Sequence, residues 1–97
     1  MMEEMQAVKN GKGRILVIDD DEKTREITLL LLKKKGYEAV EAESGESALE
    51  SMESELPDLI LLDVEMPGIS GFEVVKRLKS KSPTRTIPVI MVTGLGD

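Results

Sequence analysis

Three short aliphatic runs, each closing on an oxygen-bearing side chain, constrain this chain more than any other feature. Arg14 to Ile18 reads RILVI and runs into Asp19-Asp20-Asp21; Leu59 to Leu62 reads LILL and meets Asp63; Pro88 to Val92 reads PVIMV and meets Thr93. Runs that are apolar on consecutive positions suit strands covered on both faces, as in a parallel sheet. Tyr37 to Ala42, with Val40 inside it, is a further short candidate strand.

Helical patterns lie between these runs. The spacing predicts a helix from about Glu22 to Lys35, capped by the preceding acids, with Ile27, Leu30 and Leu31 at helical spacing and Gly36 as its stop. A second is expected from about Gly45 to Ser54, with Ser44 as N-cap and Ala48, Leu49 and Met52 on one face. A third, opened by Ser70 after the turn Met66 to Gly71, is expected from about Gly71 to Ser80 with Phe72, Val75 and Leu78 facing inward. Ser82 to Thr86 reads as a loop. The order is βαβαβαβ with each strand doubly buried by pattern: an α/β domain with a parallel sheet, right-handed crossovers and helices on both faces.

A chain of 97 residues forms at most one small domain, placed here at 14–97. Residues 1–13 are polar, carry Gly11 and Gly13, and read as a flexible leader with room for a short helix over Glu3 to Lys9. The net charge of −6 argues against nucleic acid as a partner, which would require a basic face. Cysteine and histidine are both absent, which excludes disulfides, thiolate nucleophiles, imidazole bases and the common zinc sites. Any metal must then be a hard, oxygen-seeking one. No apolar run has the length of a membrane span and no signal-like segment opens the chain, so no membrane partner and a cytoplasmic location are the expectations.

Parallel strands carry all their carboxyl ends to one edge, where ligands of such sheets bind. Asp19, Asp20, Asp63 and Thr93 should therefore meet in space. An acid after a strand is more often a helix cap or a solvated turn, and that reading suits Asp20 or Asp21 taken alone. Asp63 resists it, because Pro67 and Gly68 separate it from the next helix. Three clustered carboxylates repel unless neutralised, and magnesium is the natural ion for an all-oxygen site that also faces phosphate. A carboxylate beside that ion can act as a nucleophile toward phosphorus and form an acyl phosphate. The Thr93 hydroxyl and the Gly94 backbone N–H are then placed to contact phosphoryl oxygens.

The segments RILVIDDDE, PDLILLDVEMPGISGFEV and IPVIMVTG resemble the receiver domains of bacterial two-component response regulators, from Arg14 to the end of the chain. That resemblance implies a flavodoxin-like doubly wound sheet, in the order 2-1-3-4 for the strands present. It implies that Asp63 is the phosphoacceptor and that Asp20 and Asp63 bind Mg2+ directly, with Asp19 acting mostly through water. Glu65 would give its backbone carbonyl to the metal, and its side chain would tune hydrolysis of the acyl phosphate. Thr93 matches the family's switch hydroxyl and Gly94 the small residue beside it. The implied partner is a sensor histidine kinase or a histidine phosphotransferase; the receiver, not a conventional enzyme, catalyses its own phosphorylation and slow dephosphorylation. Kinases of the family tend to dock on the first helix, whose exposed residues are read as Glu22, Arg25, Glu26 and Lys33.

The family fold continues to a fifth strand ending in a lysine that contacts the phosphoryl group, whereas this chain ends at Asp97. Lys76 and Lys79 belong to the third helix and cannot take that role. The expectations are impaired phosphoryl transfer, self-association through an uncovered fourth-strand edge, and a chain that is a fragment of a longer regulator. A module for protein interaction or dimerisation, with a vestigial site, is the alternative. An EF-hand fails because Lys23 falls where an oxygen ligand is needed and Arg25 or Thr24 where glycine is needed. A P-loop fails because Gly11-Lys12-Gly13 lacks its spacing, and an aspartyl-phosphate hydrolase lacks its lysine and cap.

Overall fold

The computed structural model describes residues 13–92. The expected leader, with its helix over Glu3 to Lys9, and the candidates Thr93 and Gly94 lie outside the described residues. Elements follow in the order β1 (Arg14–Ile18), α1 (Glu22–Lys34), β2 (Glu38–Ala42), α2 (Gly45–Ser51), β3 (Leu59–Asp63), α3 (Gly71–Lys79), a 3-10 turn (Thr84–Thr86) and β4 (Val89–Val92). The sheet is parallel throughout, in the order β2-β1-β3-β4, which is the flavodoxin-like arrangement over these strands.

Alternation along β1 and β3 sends side chains to two separate layers. Leu16, Ile18, Ile60 and Leu62 pack with Ala48 and Met52 from the α2 segment and Val74 and Leu78 of α3. Ile15, Val17, Leu59 and Leu61 pack with Leu29 and Leu32 of α1. Both central strands are thus covered on both faces, as their continuous aliphatic runs require. β2 is covered less completely: Val40 and Ala42 join the first layer and Ala39 the second, while Glu38 and Glu41 are exposed; it pairs with β1 alone among the described strands.

Helix starts follow the sequence closely, as does the end of α1, whereas α2 stops at Ser51, short of the expected Ser54. Asp21, Ser44 and Ser70 each accept a backbone N–H three residues on, from Thr24, Ser47 and Glu73, satisfying donors that the first helical turn leaves unpaired. Gly36 (φ 94°) ends α1. Its N–H donates to the Lys33 carbonyl and that of Tyr37 to the Leu32 carbonyl, the paired bonds of a Schellman motif.

Helix faces depart from expectation. Ile27, Leu30 and Leu31 are each more than half exposed, while Leu29 and Leu32 carry the contact with the sheet. On α3, Phe72 is 66% exposed; Gly71, Val74 and Leu78 face inward. Inside α1, four consecutive leucines leave the apolar stripe undefined by sequence, and packing selects among them. The stretch read as a loop contains the 3-10 turn, anchored by the buried Thr84 hydroxyl, which donates to the Leu78 carbonyl at 2.8 Å.

Candidate functional site

Sheet register brings the acids together. Ile18 is level with Leu62 across the β1–β3 pair, so Asp19 and Asp63 leave adjacent strands at the same height. Strands lie about 4.8 Å apart, and both residues fall on the same parity of the pleat. Asp20 follows on the β1–α1 turn. One carboxylate oxygen from each of Asp19, Asp20 and Asp63 lies within 4.8 Å of the other two. Asp19 and Asp63 are partly buried and Asp20 is exposed, so the cluster opens to solvent on one side.

Backbone donors hold two of these carboxylates. The Asp21 N–H donates to Asp19 Oδ1 at 2.9 Å and the Glu65 N–H to Asp63 Oδ1 at 3.1 Å. Burial pushes the Asp19 carboxyl up from its usual value. The Asp21 N–H acts against that rise, while the charges of Asp63 and Asp20 and a hydrogen bond with Asp63 add to it. Asp21 itself belongs to the helix: Thr24, through its hydroxyl and backbone N–H, holds the Asp21 carboxyl below its usual value.

The donor set fits a hard divalent cation. It consists of three carboxylates, of which Asp19 is raised by burial and by the charges of Asp63 and Asp20, and a cation offsets the repulsion within such a cluster. Lys79 is tied to the far end of α3, donating to the Arg85 and Ile87 carbonyls at 3.1 and 3.0 Å, and it takes no part in the cluster.

Two residues of the site carried no signal in sequence. Gly71, buried at the start of α3, donates its N–H to the Val64 carbonyl at 3.0 Å. A Cβ at this position would lie 2.7 Å from the Asp63 carbonyl oxygen and 2.8 Å from Val64 Cα, so only glycine lets α3 press on the backbone that carries Asp63. Gly71→Ala is therefore expected to destabilise by about 1–3 kcal/mol, the usual cost of overpacking. It is also expected to lose any magnesium-dependent rise in melting temperature, checked by melts with and without the ion. The other residue is Arg25. It was read as exposed on α1, yet its side chain is only 12% exposed and is turned toward β2 and the β1–α1 turn.

A family model for the response regulator receiver domain matches residues 15–97. The chain belongs to that family. Among relatives of this receiver, the phosphate regulon transcriptional regulatory protein PhoB of Escherichia coli K12 is 45% identical over 84 residues, which cover 87% of this chain and 37% of PhoB. The receiver thus spans little more than a third of that relative. Among solved structures, the N-terminal domain of a response regulator receiver protein from Methanoculleus marisnigri superposes with a TM-score of 0.79 at 39% identity, covering 81% of this chain and 64% of that one. The response regulator TrrA of Thermotoga maritima, solved in complex with Mg2+–BeF, gives a TM-score of 0.75 at 43% identity and covers 82% of this chain and 68% of its own. Among the described residues, no helix of the receiver is long and apolar enough to cross a membrane.

Proposed function

We propose that this receiver is a phosphoacceptor module of a two-component system, with Asp63 as the residue that takes the phosphoryl group. The observation that carries the reading is the convergence of Asp19, Asp20 and Asp63 at the carboxyl edge of the sheet. A carboxylate oxygen of Asp63 attacks phosphorus of a phosphohistidine on a sensor kinase or histidine phosphotransferase. The phosphorus–nitrogen bond breaks, the imidazole leaves with the electron pair, and an acyl phosphate remains on Asp63. Later hydrolysis of that acyl phosphate restores the carboxylate and releases inorganic phosphate.

Asp19, Asp20, Asp63 and the backbone carbonyl of Glu65 form the proposed set of magnesium ligands. When bound, the ion offsets the charge of the carboxylates and of the incoming phosphoryl oxygens. Thr93 and Gly94 are assigned by family resemblance to the phosphoryl oxygens, and residues 14–97 to the domain. The exposed Glu65 side chain, two residues past Asp63, is assigned by family resemblance to influence how quickly the acyl phosphate hydrolyses. A cytoplasmic location belongs to the same proposal.

Incubation with magnesium and acetyl phosphate, followed by intact-mass measurement, tests the reading. Wild type is expected to gain one phosphoryl group, and Asp63→Asn none. Absence of an adduct in wild type would favour the alternative, an interaction or dimerisation module with a vestigial site.

A further inference from the structure

Arg25 makes contacts that a surface residue of an amphipathic helix does not need. Its Nε donates to Glu41 Oε1 at 2.7 Å, and one terminal nitrogen donates to the backbone carbonyl of Asp19 at 2.8 Å. Glu41 lies on β2, level with Val17 of β1. The guanidinium thus links three segments: the first helix, the edge strand and the turn that carries the acidic pair. The Asp19 N–H donates to the Ala42 carbonyl at 3.2 Å, so both backbone groups of Asp19 are engaged.

The carbonyl that Arg25 holds belongs to the peptide between Asp19 and Asp20. Because a peptide unit is planar, fixing that oxygen also fixes the starting point of the Asp20 side chain, which has no burial of its own to hold it. Glu41 balances the guanidinium charge, so the contribution of Arg25 to the site is directional. A planar fork serves two acceptors at once, whereas an ammonium is a point charge on a flexible stem.

We infer that Arg25 is a positioning residue for the metal site, holding the Asp19–Asp20 peptide in the orientation from which both carboxylates reach one cation. The role rests on the phosphoacceptor reading given above and adds to it a residue that touches neither metal nor phosphate. Arg14 is the natural control. It sits at the opposite end of β1, bridges Glu38 and Glu55 at 3.1 and 3.0 Å, and is also largely covered.

Magnesium affinity of the full chain, measured by calorimetry with the metal alone, tests the role alongside melting temperature without metal. Arg25→Met, which keeps the aliphatic stem, is expected to weaken magnesium binding roughly tenfold, the lower end of losses on removing groups that orient metal ligands. Arg14→Met removes the same charge and is expected to lower the melting temperature while leaving magnesium affinity within about twofold. Equal losses in both variants would reduce the effect to net charge and overturn the positioning role, as would wild-type affinity in Arg25→Met. Arg25→Lys decides the matter even where Arg25→Met does not fold. Weakened binding in the lysine variant supports the fork, and wild-type affinity overturns it. Failure of wild type itself to bind magnesium would instead overturn the phosphoacceptor reading, and the positioning role with it.

Discussion

Without a divalent cation, Asp19→Asn is expected to melt above wild type, and saturating magnesium is expected to reverse that order. Burial first, then the charges of Asp63 and Asp20, raise the Asp19 carboxyl in the folded protein. The folded state therefore binds a proton more tightly than the unfolded chain does. Stability falls as pH rises from the ordinary carboxylate value through the raised folded value, and the penalty is complete above it. Asparagine removes the charge and keeps an oxygen to accept the Asp21 N–H, now held at 2.9 Å, so the penalty disappears while the turn stays intact. Magnesium acts in the opposite sense. An ion that binds only the folded state at a hundred times its dissociation constant adds about 2.7 kcal/mol. In a domain of this size each kcal/mol moves Tm by roughly 4–8 °C, and the asparagine variant forgoes much of that gain. Thermal melts across the acidic range, with and without the metal, check both halves. Wild type without metal should gain stability on acidification through that window relative to Asp19→Asn.

Leu32→Ala is expected to cost about 2–5 kcal/mol, the range for emptying a buried leucine site, whereas its neighbour Leu31→Ala should stay within about 0.5 kcal/mol of wild type. Leu32 is 3% exposed and packs against the layer formed by Ile15, Val17, Leu59 and Leu61; Leu31 is 53% exposed. In a domain whose total stability is of the order of 5–15 kcal/mol, the first change removes a large share and the second nearly none. Chemical denaturation of the two variants side by side measures the contrast. Equal losses would mean that α1 is rotated about its axis from the orientation described.

That pair also marks where the amino-acid pattern stopped being readable. β1 and β3 were legible because both of their faces are buried, which leaves continuous aliphatic runs that a half-exposed strand would not tolerate. The starts of the helices and the end of α1 were legible because Asp21, Ser44, Ser70 and Gly36 each do a local task that few residue types can do. The face of α1 was not. Leu29 to Leu32 cover every direction around the helix, so periodicity carries no preference, and contact with the sheet decides. On α3, Val75 and Leu78 were read correctly, but the start of the inward row at Gly71 was not. Its role is to be small beside the Asp63 backbone, and hydrophobicity cannot report that, so Phe72 drew the inward reading instead.

The site divides in the same way. The acids were legible because parallel strands end on one edge, and equal register puts Asp19 beside Asp63. Arg25 was illegible because its partners are a backbone carbonyl, which leaves no trace in sequence, and Glu41, which lies sixteen positions away on another element.

Paramagnetic broadening by substoichiometric Mn2+, read from amide resonances of the isotopically labelled chain, tests most directly whether the three carboxylates serve one ion. Signals of residues 19–21 and 63–65 should broaden first and together in wild type, recover on addition of excess Mg2+, and remain sharp in Asp20→Ala. Broadening spread over other acidic surfaces, or unchanged by Mg2+ and by that substitution, would contradict a shared site.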